Sequence, residues 1–226
     1  MTLSKASPHN VEINGKTYQY LAFYYPGHNT DWDNVYGVPY FGNFWIESFD
    51  VQLKTSLKAN FHTAEAAYQA SKWWNDSSIV KAFEQERDGN GAFSLKKRYT
   101  KSGIAFNGNY GGYPTGEDAM FEILKHKFSK NQLELHNALG ATGNTYLLEH
   151  SAKLNHPDWT WSDGNDGTGT NHLGECLMRV RDFYFPGQGN PLTAESSATV
   201  IMACTQALRT EMTKLGLSAH SRYPTH

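Results

Sequence analysis

Apolar positions along this chain change their period several times, and the changes mark out its elements. Val11–Ile13 and Thr17–Leu21 are short runs of strand character separated by Asn14-Gly15, the pair that favours a type I′ hairpin turn. Phe44–Leu53 alternates imperfectly and is read as one more strand. Helical periodicity then takes over, at Ala64–Trp74, Ile79–Glu86, Phe93–Ser102, Gly116–Ser129, Gln132–Ala141 and Leu173–Phe185. In the fourth of these, Met120, Phe121, Leu124 and Phe128 supply the i, i+3/i+4 apolar stripe. A last stripe, Val200, Ile201, Cys204, Ala207, Leu208, Met212 and Leu215, is placed to end at Gly216. The pattern predicts an α+β, predominantly helical single domain with a short N-terminal β-hairpin or small sheet.

Residues 1–10 read as a flexible N-terminus and 11–185 as the domain. Phe185-Pro-Gly-Gln-Gly-Asn-Pro191 is turn and linker chemistry, so 186–226 reads as a linker plus a C-terminal helix packed on the domain. The helix needs that surface, because alone it cannot bury its stripe.

Composition narrows the function. A chain of 226 residues is long enough for one domain with a real core. Its net charge of −2 argues against broad electrostatic attachment to duplex DNA, yet allows binding of a nucleotide group or a single modified base. Aromatics are abundant, and several sit among glycines in Asn107-Gly-Asn-Tyr-Gly-Gly-Tyr113, which suits stacking on a base as well as core packing. Cys176 and Cys204 fall in apolar helical pattern and read as buried thiols. No apolar run approaches the length of a membrane helix, and Met1–Asn10 lacks a signal-peptide segment. The expected location is therefore intracellular and soluble, cytoplasmic or nuclear, with no membrane partner.

Of the ten histidines, only His150 and His156 near Asp158 form a candidate metal set, and their spacing is nonspecific; no metal is expected. A Walker loop and a dinucleotide-fold glycine fingerprint are both missing, so ATP hydrolysis and hydride transfer have no support, and no cofactor is expected.

The densest chemistry lies in Thr63-Ala-Glu-Ala-Ala-Tyr-Gln-Ala-Ser-Lys72, which reads as a helix start capped by Thr63. Glu65, Tyr68 and Lys72 fall at i, i+3 and i+7 and share one helix face. A carboxylate, a phenol and an amine there form an acid–base constellation. The plainer alternative makes Glu65 a partner of the helix dipole, Tyr68 a core residue and Lys72 a solvated charge.

Further along, Asp166-Gly-Thr-Gly-Thr-Asn171 runs straight into His172-Leu-Gly-Glu-Cys-Leu-Met-Arg-Val-Arg181. Phe41-Gly-Asn-Phe44, Thr63–Lys72, Asp118-Ala-Met120 with Lys127-Phe128, Ala141-Thr-Gly143 with Leu147–Glu149, Asp158 to Trp161, and Asp166–Arg181 occur in this order. Together they resemble the NADAR (YbiA-like) family, whose proteins act on N-glycosidic bonds of ADP-ribose and related nucleotides. The resemblance covers residues 41–181, stops near Asp182, and makes 11–185 a NADAR-like catalytic domain.

It implies Glu65 and Asp158 as the carboxylates that stabilise an oxocarbenium-like sugar or direct water. Glu65 at a helix N-terminus suits an ionised stabiliser or base, and Asp158 reads equally as a turn or capping residue. Lys72, desolvated among Trp73, Trp74 and Tyr68, matches a family lysine that condenses with the ring-opened ribose; an ion pair to Glu65 or to a substrate phosphate is the competing role.

Substrate-binding expectations fall on Asn43, Phe44, Tyr68, Arg98, Trp161, Gly167, Gly169 and Asn171. Asn43 and Phe44 offer an amide and a ring to base or ribose, or merely anchor a turn. Gly167, Gly169 and Asn171 precede a helix whose amides suit a pyrophosphate, although such glycines often only turn the chain and Asn171 suits an N-cap. Trp161 is the stacking candidate, and Arg181 is placed to brace the site from behind. Three departures stand out: Glu65-Ala66 replaces Glu-His, Leu95-Lys-Lys-Arg-Tyr99 lacks the glycine of a Gly-Arg pair, so that Arg98, Lys97 and Lys101 are the candidates for its arginine with Arg98 preferred, and Trp161-Ser162 replaces W-G. The segment Asn155–Thr160 is also lengthened.

The resemblance thus implies an ADP-ribosyl glycohydrolase removing ADP-ribose from guanine in nucleic acid or nucleotide, with room for a cognate ADP-ribosyltransferase. Its alternatives are an N-glycosidase of a phosphoribosylamino-pyrimidine intermediate of riboflavin synthesis, and a non-catalytic ADP-ribose or NAD reader.

Overall fold

The computed structural model describes residues 3–24, 31–151 and 157–217. The structure is α+β with helices predominating and an N-terminal hairpin, as the pattern predicts. Its contacts fall into two compact units.

The first unit contains the described residues of 3–24, 31–41 and 137–217. The hairpin is β1 (His9–Ile13) and β2 (Lys16–Phe23), paired antiparallel with His9 opposite Tyr20 and Ile13 opposite Lys16. Asn14 and Gly15 both take positive φ, 50° and 75°, as a type I′ turn demands. β2 pairs on its other side, in parallel, with a strand that the apolar pattern missed, at Tyr146–Glu149. That central position explains why Tyr20–Phe23 are all buried while Lys16 and Thr17 are exposed.

Residues 3–8 are not a loose tail. Ser4 Oγ donates to Gly37 O at 2.8 Å and Ser7 N to Tyr36 O at 2.9 Å. They meet a short helix, α1 (Asp31–Tyr36), and the 3-10 turn Pro39–Phe41, neither of which has enough apolar period to be read from sequence.

The second unit, within 42–136, has a two-stranded hairpin of β3 (Phe49–Gln52) and β4 (Lys58–Phe61). The strand expected at Phe44–Leu53 is thus confined to four residues. Residues 45–48 lie outside the ladder and reach across to His62 instead, through Glu47 N to its carbonyl and Ser48 Oγ to its Nδ1.

Around this hairpin stand α2 (Ala64–Ser71), α3 (Ser77–Glu84), α4 (Gly89–Lys101) and α5 (Gly116–Lys127). Every residue of α2 is buried, and α3, α4 and α5 all pack on it. Ala64, Ala66, Ala67 and Ala70 make that close packing achievable and favour the helix besides. The four helices begin at side-chain caps, Thr63, Asp76, Asp88 and Thr115 respectively.

Helix α6 (Leu133–Gly140) returns the chain to the first unit, where the third sheet strand, β5 (Tyr146–Glu149), follows. Helix α7 (His172–Tyr184) packs on β5, approaching so closely at Gly174 that any Cβ would run into Leu147 O. Helix α8 (Ser197–Lys214) packs on β1 and ends at Gly216, whose φ of 68° turns the chain away.

Candidate functional site

The candidate residues divide between the units. In the second unit, helix α2 carries a connected row of polar groups in an otherwise apolar setting. Its first-turn Glu65 is 7 % exposed, and its backbone N–H donates to Asn43 O at 3.0 Å. One turn on, Gln69 Nε2 donates to Glu65 Oε1 at 2.7 Å, and Lys72 Nζ donates to Gln69 Oε1, also at 2.7 Å. Glu65 and Lys72 are therefore joined through an amide. Gln69 was not among the expected site residues, although its spacing of i+4 from Glu65 and i−3 from Lys72 put the signal in plain view.

Burial pushes the Lys72 amine down to about 8, against an upward pull from Glu65 and with a further downward push from Lys96. Of its expected aromatic neighbours, Tyr68 lies beside it and the two tryptophans do not. Nζ lies 4.7 Å from the Tyr68 ring centroid and 5.8 Å from that of Phe106. Trp73 instead packs with Phe83, Tyr99 and Phe106, and Trp74 with Phe61. The helix ends at Ser71, before the tryptophans, which turns both rings into the core. Tyr68 stacks on Tyr110 with the rings 9° from parallel, and Phe106 remains 49 % exposed beside the amine.

The turn before this helix is held from beneath. Lys127, with no exposed surface, donates to Gly42 O at 2.8 Å, and burial pushes its amine down to about 7 against the pull of Glu47. Next to Gly42, Asn43 Oδ1 is buried without a hydrogen-bond partner, so this turn presents an acceptor that a ligand N–H or O–H can satisfy. Phe44 is committed elsewhere: its ring fills the space where a Cβ on Gly89 would sit. Arg98 is exposed on α4, and the cation of that helix felt by Lys72 is Lys96, which sequence reasoning passed over.

In the first unit, the segment 157–171 is a loop that satisfies itself. The amides of Gly167 and Gly169 both donate to Asp163 O, Thr170 N to Trp159 O and Asn171 N to Ser162 O. His172 and Leu173 donate to Thr160 O and Trp161 O, and Thr168 N to the Asp166 carboxylate. The pyrophosphate seat expected here consequently has no spare donor among the amides of 167–173. Both glycines serve close packing: a Cβ on Gly167 would meet α8 at Met202 and Thr205, and one on Gly169 the backbone of Ser162–Gly164.

Asn171 occupies the N-cap position but does not cap. It adopts a left-handed φ of 51°; its Nδ2 donates to Tyr146 OH and Leu147 O, and its Oδ1 accepts from Glu149 N. It ties the loop to β5 and has no exposed surface for a ligand.

Asp158 is exposed, and its Oδ1 accepts from the amides of Thr160 and Trp161, the capping role weighed as its alternative. Trp161 is half-buried against His172, with centroids 6.1 Å apart, whereas Trp159 is 54 % exposed. Arg181 is fully buried and donates to Thr142 Oγ1, Thr145 O, Gln188 O and Gly189 O, bracing this unit from within. His150 Nδ1 meets buried Asp163 at 2.6 Å, and the His156 half of the candidate metal set lies outside the described residues. Among the described residues no group of three or more metal-ligating side chains converges.

A carboxylate, an amide and a depressed-pKa lysine thus stand in series along a buried helix of an α+β fold, an arrangement chemically capable of acid–base and amine reactions. Residues 28–183 match the NADAR domain, and the chain belongs to that family. The solution structure of the Escherichia coli protein YbiA shares the fold with a TM-score of 0.53 and 23 % identity, over 72 % of this chain and 84 % of that one. A riboflavin biosynthesis protein of Vibrio vulnificus (strain YJ016) is 35 % identical over 120 residues, or 53 % of this chain. The match spans only 30 % of that relative's length.

Proposed function

We propose that this protein is an N-glycosidase that cleaves the bond between ribose C1 and a base nitrogen, releasing ADP-ribose from guanine in nucleic acid or nucleotide. The observation that carries the reading is the Lys72 amine, brought to about 8 by burial and held 2.7 Å from Gln69, which also holds Glu65. An amine titrating there is neutral in a minor but sizeable fraction near physiological pH, and that fraction can attack carbon.

The steps follow from that amine. The glycosidic nitrogen's lone pair forms a C1=N double bond as the C1–O4′ bond breaks, and the ring oxygen takes a proton to become the open-chain hydroxyl. Lys72 Nζ adds to C1, and a proton passes from Nζ to the base nitrogen. The C1–N bond to the base then breaks, leaving a lysine imine that water hydrolyses to the open-chain sugar and free lysine. Glu65, ionised at its helix N-terminus, carries protons between these steps, and Asn43 Oδ1 accepts a hydrogen bond from the sugar or base. Lys96 supplies positive charge close to Lys72 for a substrate phosphate.

A second reading has its own support, because the Vibrio vulnificus relative is named for riboflavin biosynthesis. On that reading the substrate is a phosphoribosylamino-pyrimidine, cleaved by the same lysine chemistry.

Incubation with an oligonucleotide carrying ADP-ribose on guanine, followed by mass spectrometry, tests the first reading. Release of whole ADP-ribose with unmodified guanine is expected. No release there, with cleavage of the phosphoribosylamino-pyrimidine, would replace the first reading by the second. Ligand binding without turnover of either would make the protein a reader.

A further inference from the structure

Glu65 on α2 and Lys72 at its C-cap stand seven residues apart, about 10 Å along the helix axis. Gln69 lies between them on the same stripe, and its amide orientation is dictated by its partners. A carboxylate oxygen accepts only, so it must face Nε2; the lysine donates, so it must face Oε1. Turned over, the amide would set acceptor against acceptor and donor against donor. Gln69 is 5 % exposed, so water cannot readily substitute for either bond.

A direct Glu65–Lys72 ion pair would hold the amine protonated and leave it no lone pair for attack. The amide instead occupies Oε1 of Glu65 and takes one N–H of Lys72. It passes the polarisation of the carboxylate to the amine without letting the charges meet, and fixes one N–H so that the other valences of Nζ keep a constant direction. The neighbouring ring of Tyr68, 4.7 Å from Nζ, contributes a weak cation–π attraction in place of a full counter-charge.

We propose that Gln69 is a positioning residue that links Glu65 to Lys72 while separating them, keeping the amine able to lose its proton and aimed at the ribose C1. The inference rests on the reading of Lys72 as the attacking amine.

The test moves the carboxylate along the helix without changing composition. In Glu65→Gln/Gln69→Glu, the same glutamate and glutamine exchange places and net charge is conserved, but the carboxylate now adjoins Nζ. Trace labelling with acetic anhydride across pH, read at Lys72 by peptide mass spectrometry, reports the amine's titration midpoint without any glycosidic substrate. The wild-type midpoint is expected at about 8. The exchange variant should titrate at least about one pH unit higher, making Lys72 at least about fivefold less reactive at the wild-type midpoint. The single, isosteric Gln69→Glu should show the same direction and carries the test if the exchange variant does not fold. Where turnover is measurable, the acidic limb of its kcat/KM profile should shift equally.

An unchanged Lys72 midpoint in the folded variant would overturn the separating role of Gln69. Absence of turnover by the wild type on every glycosidic substrate would instead remove the proposed function, and the labelling midpoint would still decide what Gln69 does to the amine.

Discussion

Lys127 Nζ donates to the carbonyl of Gly42 at 2.8 Å, so a fully buried amine holds the turn that carries Asn43. With one carbonyl as its hydrogen-bond partner and burial pushing it down to about 7, this lysine couples stability to pH. Between about pH 7 and 10 the unfolded chain, with a lysine near its ordinary value, binds more protons than the folded one. Stability should rise with pH across that window, by up to about 1.4 kcal/mol per pH unit for one proton. Lys127→Met removes the titrating group and should flatten the rise in urea midpoints. A variant with the wild-type slope would show that Lys127 does not titrate there.

Glu65 is the proposed proton carrier. Glu65→Gln retains the backbone link to Asn43 and an acceptor for Gln69, and should lower kcat about 100-fold with a much smaller change in ligand affinity. Calorimetric binding beside steady-state turnover separates the two. Unchanged kcat would take Glu65 out of the chemistry.

Asp158 should behave as a turn residue. Asp158→Asn keeps an oxygen for the amides of Thr160 and Trp161 and should retain activity within about threefold, whereas Asp158→Ala loses both bonds. A loss of about 100-fold or more in Asp158→Asn at unchanged thermal stability would restore the carboxylate to a catalytic role.

The C-terminal helix is fastened to the loop by buried polar bonds. Thr205 Oγ1 donates to Asp163 at 2.9 Å, and Arg209 donates to both oxygens of Asn165. Thr205→Val removes the first without changing shape, and should cost about 1–2 kcal/mol in denaturant unfolding. An unaltered midpoint would show that the Thr205–Asp163 bond does not help to hold the helix.

How much of this was legible beforehand depends on how local the signal is. The hairpin followed from Asn14-Gly15, and the helices from their stripes and caps, because each depends on neighbours in sequence. The strand Tyr146–Glu149 was not legible as a strand, since its parallel partner, Tyr20–Phe23, lies more than a hundred residues away. Helix α2 ended earlier than its pattern, because Trp73 and Trp74 answer to tertiary packing on Phe83 and Phe61.

At the site, Glu65, Tyr68 and Lys72 could be placed on one face from spacing alone. The same spacing contained Gln69, but a glutamine carries no charge to draw attention to it. The Gly167–Asn171 loop shows the opposite failure. Its glycines resemble a phosphate cradle in sequence, yet which carbonyls claim their amides is decided by the path of residues 159–163.

The central claim is that Lys72 bonds covalently to ribose C1. Borohydride added during turnover of an ADP-ribosylated guanine oligonucleotide, followed by peptide mass spectrometry, tests it most directly. A reduced ADP-ribose adduct on Lys72 is expected, and it should be lost in Lys72→Ala. Active turnover that leaves Lys72 unmodified under these conditions would contradict that claim and leave the lysine a purely electrostatic role.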